Sequence, residues 1–287
     1  MAHDLPTPNR EGLIPAEVLA AVPGCESGLP PLAVHVLMGG GHNDVRRVET
    51  SVGKFVVRRR LPPVTRAGSD AALELGCHRL AARSGLAPRV VAAASDGTWM
   101  VMDFVAGNPW QERDLSCAAG VRVLGERLAL VHALPVAARM PPLDAAGIAR
   151  QQLQAINSNN VPTTIQREAD ELAQRTNQLA TMLQGREVPA CINHGDLQVA
   201  NLIGNPPLLI DWEYAQVAAP TYDIACLLTY YPQLRSWQSE LLAAAGLSRP
   251  ADLELLGLQA QLFACLNRLW ALANGLASVV SDGINAG

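Results

Sequence analysis

The apolar pattern of this 287-residue chain changes period once, and that change limits what it can fold into. Between Ala33 and Val105 the apolar residues come in short runs broken by turn formers: Ala33 to Met38, Gly39-Gly40-Gly41, Val45 to Glu49, Gly53, then Phe55 to Val57. Such runs with glycine at the breaks predict an antiparallel meander. Pro62 and Pro63 end it, and Ser69 or Asp70 can cap a helix running through Ala82. Two more strands are expected at Arg89 to Ala93 and Trp99 to Val105, separated by Asp96-Gly97. After Gly107-Asn108-Pro109 the spacing turns helical, through Val121 to Leu134, Ala145 to Ile156 and Thr164 to Leu183. The expectation is an α+β chain: a five-stranded sheet with one helix in residues 1–105, and a larger, mostly helical part in residues 106–287.

Composition removes several classes of function. The 49% hydrophobic content is enough for ordinary cores. With 22 basic against 26 acidic residues the net charge is −4, which favours neither nucleic acid nor an anionic membrane surface. Cys25, Cys77, Cys117, Cys191, Cys226 and Cys265 are far apart, with no C-x-x-C pair, and read as buried thiols. Met1 to Arg10 has no apolar signal core, and the apolar stretch 253–280 is interrupted by Glu254, Gln259, Gln261, Asn267 and Arg268. A globular protein of the reducing cytoplasm is expected, with no nucleic-acid or membrane partner.

The stretch Ile192-Asn193-His194-Gly195-Asp196-Leu197-Gln198-Val199-Ala200-Asn201 carries the chemistry. Its His-x-Asp, with Asn following the Asp, has the spacing of a kinase catalytic loop. Leu202-Ile203 and Leu208-Leu209-Ile210 flank Gly204-Asn205-Pro206-Pro207 and predict a hairpin. A hairpin returns to its start, so Asn201 and Asp211 come together as two oxygen ligands for Mg²⁺ bridging nucleotide phosphates. Asp196 would orient an incoming hydroxyl and accept its proton. His194 reads as a support of the loop backbone. Between the first two strands, Gly39-Gly40-Gly41 could cover phosphates with backbone N–H groups, although it does not match G-x-G-x-x-G. Each of these residues alone is equally a turn former or cap; the combination points to phosphoryl transfer from ATP.

The phrases "HGDLQVANL", "LIDWEYA" and "PTYDIACL" give a resemblance to a known group. The chain resembles the choline, ethanolamine and thiamine kinase-like branch of the aminoglycoside phosphotransferase superfamily, which has a protein-kinase-like fold. "DLQ" and "DWEY" are what lean toward the choline and thiamine branch. The resemblance implies that Arg58 stands where the phosphate-binding Lys is usual, with Glu74 as its ion-pair partner. A guanidinium stays charged and grips phosphate oxygens bidentately, so the exchange is chemically tolerable. The resemblance also implies adenine contacts from the backbone of Asp103 and Val105, and a loop-supporting role for Asp223, which otherwise reads as a helix cap. His132, on an apolar helix face, reads as a satisfied core histidine.

Eight of the twelve aromatic residues follow Asp211, whereas acids in that stretch are few. Aromatic walls suit a quaternary ammonium or thiazolium, because ring faces attract cations by about 0.5–2 kcal/mol each. A polycationic aminoglycoside would call for a denser acidic surface. On the last long helix Phe263, Asn267, Trp270 and Asn274 form one stripe, either pocket wall or partial core, and Leu258, Leu262, Cys265, Leu269, Leu272 and Leu276 form a core stripe. The resemblance adds Tyr214 to Trp270 as substrate aromatics, with Gln198 and Glu213 at the substrate's polar end. The expected activity is ATP- and Mg²⁺-dependent phosphorylation of choline, ethanolamine or a thiamine-like alcohol. The alternatives are an aminoglycoside or other antibiotic phosphotransferase and a catalytically silent nucleotide-binding pseudokinase.

Overall fold

A sheet forms in the first part of the chain because its alternating side chains have an apolar layer to bury against. The structure is a computed structural model that describes residues 14–38, 43–61, 70–137, 140–159, 161–184, 186 and 190–276. Strands β1 (Ala33–Met38), β2 (Asn43–Thr50), β3 (Gly53–Arg60), β4 (Val90–Ala93) and β5 (Trp99–Asp103) make one sheet in the order β1-β2-β3-β5-β4. Every pairing is antiparallel. The register sets Val48 opposite Phe55 and Val57 opposite Val101. These four share a core with Val18 of the short helix α1 (Ala16–Leu19) and with Val22 and Cys25 just after it. Burial of each such side chain contributes about 1.5–3 kcal/mol.

Two compact units divide the chain. One takes residues up to 64 together with 89–104; the other takes 65–88 and everything from Val105 onward. The second unit contains α2 (Ala71–Arg83), α3 (Ala118–His132), α4 (Ala145–Ser158), α5 (Thr163–Leu183), α6 (Thr221–Tyr230), α7 (Gln238–Ala244) and α8 (Pro250–Ala273). Of the two cap candidates for α2, Asp70 accepts from the N–H groups of Ala72 and Leu73 at 2.8 and 3.2 Å; Ser69 lies outside the described residues.

Two cores organise the helical unit. Leu124 and Leu128 of α3, Ile224 and Leu227 of α6 and Leu241 of α7 pack around Ile192, Leu197 and Leu209. A separate core joins Ala149 and Ile156 of α4, Leu179 of α5, and Leu262, Leu266 and Leu269 of α8. The expected leucine stripe of α8 faces this second core, except that Leu276 falls beyond the helix end and is exposed. Phe263, from the mixed stripe, is buried in the first core. Two small ribbons complete the unit: β6 (Cys191–Asn193) pairs with β9 (Gln216–Ala218), and β7 (Leu202–Ile203) pairs with β8 (Leu208–Leu209), as the turn sequence between the last two predicts. Among the described residues no helix is long and apolar enough to cross a membrane. All six cysteines are free thiols; five are buried as expected, whereas Cys117, at the N-cap of α3, is exposed.

Candidate active site

The segment between β6 and β7 belongs to no regular ladder, so its buried N–H groups need acceptors from elsewhere. One helix and the residue that follows it supply four of them. Asp223, in the first turn of α6 and fully buried, accepts from His194 N–H through Oδ2 at 3.0 Å and from Gly195 N–H through Oδ1 at 2.9 Å. Cys226 Sγ accepts from Leu197 N–H at 3.3 Å, and the phenol oxygen of Tyr231, just past the helix end, accepts from Val199 N–H at 2.7 Å. The backbone N–H of Asp223 donates to Asn193 Oδ1 at 3.1 Å. Asp223 therefore does not cap its own helix, whose N-cap is Pro220 with no side-chain bond. Its Oδ2 also meets His132 Nε2 of α3 at 3.1 Å. His132 is thus half satisfied: Nδ1, buried, has no hydrogen-bond partner among the described residues.

Asp196 sits at the centre of this loop with its carboxylate almost fully bonded. Oδ1 accepts from Gln198 Nε2 at 3.1 Å and from the Tyr230 hydroxyl at 2.9 Å; Oδ2 accepts from Asn201 Nδ2 at 3.1 Å. A carboxylate offers about four acceptor sites, so one is left for a further donor such as a substrate hydroxyl. Burial, then the neighbouring Cys226 and Asp196, hold the Tyr230 phenol well above its ordinary pKa, so its proton stays on across the working pH range.

Asn201 and Asp211 are brought side by side, because Ile210 N–H donates to Asn201 O at 3.0 Å where the β7–β8 hairpin closes. The Asn201 amide uses its nitrogen on Asp196, both at the carboxylate and at the carbonyl oxygen 2.9 Å away, which leaves Oδ1 as its acceptor atom. Asp211 holds a left-handed backbone, φ 65° and ψ 63°, and is the one non-glycine residue with positive φ among those described. Such strain costs on the order of 1–3 kcal/mol and collects at functional positions. Hard oxygens from an amide and a carboxylate fit Mg²⁺, which commonly takes only one or two protein ligands beside phosphate.

His194 joins this pair of segments. Its Nε2 lies 2.9 Å from Ile210 O, its Nδ1 receives Asp196 N–H at 3.3 Å, and its ring packs on Trp212 with centroids 4.7 Å apart. Both ring nitrogens are engaged in holding backbone. Gly195 has φ 78°, and a Cβ there would stand 2.5 Å from Tyr214 O. Only glycine lets the loop approach the Trp212–Tyr214 turn so closely. Tyr214 and buried Glu213 are carried to the loop by that approach.

The remaining predicted residues are distributed as follows. Arg58 is buried on β3 opposite Met100, and Glu74 is buried on α2, so neither is a surface charge. The N–H of Asp103 donates to Arg89 O at 3.0 Å and its carboxylate takes the Arg89 guanidinium at 2.8 and 3.1 Å; an adenine contact from this backbone would fall to its carbonyl oxygen. Val105 and Trp270 are half-buried. Gly39, Gly40 and Gly41 lie outside the described residues. Phe263 sets its ring 5.5 Å from both Tyr222 and Tyr230 in edge-on contacts. Sequence reasoning missed Cys226, Tyr230 and Tyr231 as loop partners; their spacing of three, seven and eight residues from Asp223, close to helical repeats, was the available signal.

The model of the phosphotransferase enzyme family (APH) matches residues 34–274. The chain belongs to that family. Solved structures with the same fold include a choline/ethanolamine kinase family protein from Mesorhizobium loti, 21% identical, covering 91% of this chain and 86% of the other, with a TM-score of 0.66. The choline kinase LicA from Streptococcus pneumoniae is 17% identical over 88% of this chain and 89% of its own, with a TM-score of 0.68. A GDP complex of aminoglycoside 2'-phosphotransferase-IIIa is 21% identical over 88% of this chain and 89% of its own, with a TM-score of 0.62. Among curated protein sequences none matches significantly. The phosphotransferase assignment and the protein-kinase-like α+β fold agree with the reading from the sequence.

Proposed function

We propose that this phosphotransferase is an ATP-dependent kinase of a small amino alcohol, choline or ethanolamine, or of a thiamine-like alcohol. The observation that carries the proposal is the Asp196 carboxylate, held by three donors with one acceptor site left, beside the paired Asn201 and Asp211. The alcohol oxygen attacks the γ-phosphorus, the bond to the β-bridging oxygen breaks, ADP leaves, and the hydroxyl proton passes to Asp196 late in a loose transition state. Asn201 Oδ1 and the Asp211 carboxylate are the groups that would hold Mg²⁺, which when bound neutralises phosphate charge. Arg58, Glu74 and the backbone of Asp103 and Val105 would serve the nucleotide, as the resemblance implies, and Asp196, Asn201 and Asp211 would carry the transfer.

The acceptor class is supported by the rings of Tyr214 and Trp270, both half-buried, and by the choline and ethanolamine kinases among the proteins of like fold. Gln198 and Glu213 would meet the polar end of the acceptor. Aminoglycoside enzymes of like fold support a second reading, against which stands the shortage of acids after Asp211.

The test is coupled ADP release with purified protein, ATP or GTP, and Mg²⁺ against choline, ethanolamine, thiamine, homoserine, a sugar and an aminoglycoside. Turnover selective for an amino alcohol or thiamine is expected, and Asp211→Ala should lower it at least about 10²-fold while weakening Mg²⁺-dependent nucleotide binding. Selective turnover of the aminoglycoside would replace the proposal with the second reading. Nucleotide binding without transfer to any acceptor would replace it with a silent pseudokinase.

A further inference from the structure

Asp196 receives two donors on Oδ1, and they differ in one respect. Gln198 is exposed and carries its amide on a flexible stem, whereas Tyr230 is held on α6. The Tyr230 ring meets Phe263 at 5.5 Å and 89° and Tyr231 at 6.3 Å and 68°. Two edge-on neighbours and the helix backbone leave the phenol little freedom, so its hydroxyl is a fixed point 2.9 Å from Oδ1. Gln198, by contrast, can swing away, so its amide orients Oδ1 less firmly. We infer that Tyr230 is the positioning residue of the transfer centre: its hydroxyl fixes the orientation of Asp196, so that the acceptor site left on Oδ2 is presented to the incoming hydroxyl. This inference rests on the phosphotransfer reading above and adds a residue that neither the catalytic-loop spacing nor the family phrases single out.

A core tyrosine with an incidental hydrogen bond is the competing account, and Tyr230→Phe separates the two because it keeps the ring and removes only the hydroxyl. Hydrogen bonds to a charged group are among the stronger ones, so kcat is expected to fall on the order of tenfold or more when the hydroxyl is removed. KM for ATP should stay unchanged, and the melting midpoint should fall by only a few degrees, since the fold loses one hydrogen bond and keeps the ring. In an Asp196→Ala background the same substitution should change residual turnover by less than about twofold, because the group it positions is gone. Equal losses in both backgrounds, or a kcat within about twofold of wild type, would overturn the inference.

Proton NMR of the unliganded protein reads the same contact without turnover. A slowly exchanging downfield hydroxyl signal is expected in wild type, absent in Tyr230→Phe and displaced in Asp196→Ala. A signal unmoved by Asp196→Ala would overturn the inference by itself. Wild-type protein that phosphorylates no acceptor would bring down the kinase proposal, an outcome distinct from an active enzyme indifferent to Tyr230→Phe.

Discussion

Asp196→Ala is expected to reduce turnover by roughly 10²–10⁴-fold while nucleotide affinity stays within about twofold. The reduction follows from the lone acceptor site on its carboxylate, the place where the incoming hydroxyl is oriented and its proton received. Nucleotide affinity should survive because the groups proposed to hold phosphate, Asn201 with Asp211 and Arg58, are not removed. Truncation also strips a partner from Asn201 Nδ2 and from the Tyr230 hydroxyl, so some stability is lost as well. Asp196→Asn is no conservative substitute: one side of the carboxylate faces Gln198 and Tyr230 and the other faces Asn201, and all three bring hydrogens. A single amide oxygen can serve one side only. Single-turnover kinetics alongside nucleotide titration measure the two quantities separately, and wild-type-like turnover would sink the mechanism.

Asp223→Ala should have the largest effect on stability. It leaves the N–H groups of His194 and Gly195 and the Nε2 of His132 without their acceptor, all inside the protein. Each orphaned donor costs about 1–3 kcal/mol, and the sum is expected near 3–5 kcal/mol, a large share of a typical total of about 5–15. Asp223→Asn should lie between, since its amide oxygen still accepts on one side while its NH₂ faces donors on the other. Urea unfolding gives the difference directly. A loss below about 1 kcal/mol would mean that the loop finds other acceptors and that α6 does not hold it.

The helices of the second unit were legible because their apolar residues repeat at 3.6. The spacing pointed to Ala145–Ile156 and Thr164–Leu183, and α4 and α5 run Ala145–Ser158 and Thr163–Leu183. The β7–β8 hairpin was legible from Gly204-Asn205-Pro206-Pro207, since those residues do little else than turn. The aromatic residues after Asp211 were not. Sequence alone treats them as one set, whereas packing sorts them by depth: Trp212 lies under His194, Phe263 and Tyr222 enter the core, Tyr231 takes a loop N–H, and Tyr230 reaches Asp196. The helical period tells which residues share a face with Asp223, but what stands across from that face is not written in it. The left-handed Asp211 was equally out of reach, because a strained backbone leaves no mark on composition.

The amides of residues 194, 195, 197 and 199 find acceptors on side chains that come about thirty residues later, at 223, 226 and 231. Loop and helix are therefore a single inheritable cassette, closed at its base by the pairing of Cys191 to Asn193 with Gln216 to Ala218. Chimeras between family members are expected to work when residues 191–231 move together. A crossover that takes the loop from one parent and α6 from the other would join a lock to the wrong key even where both parents are active.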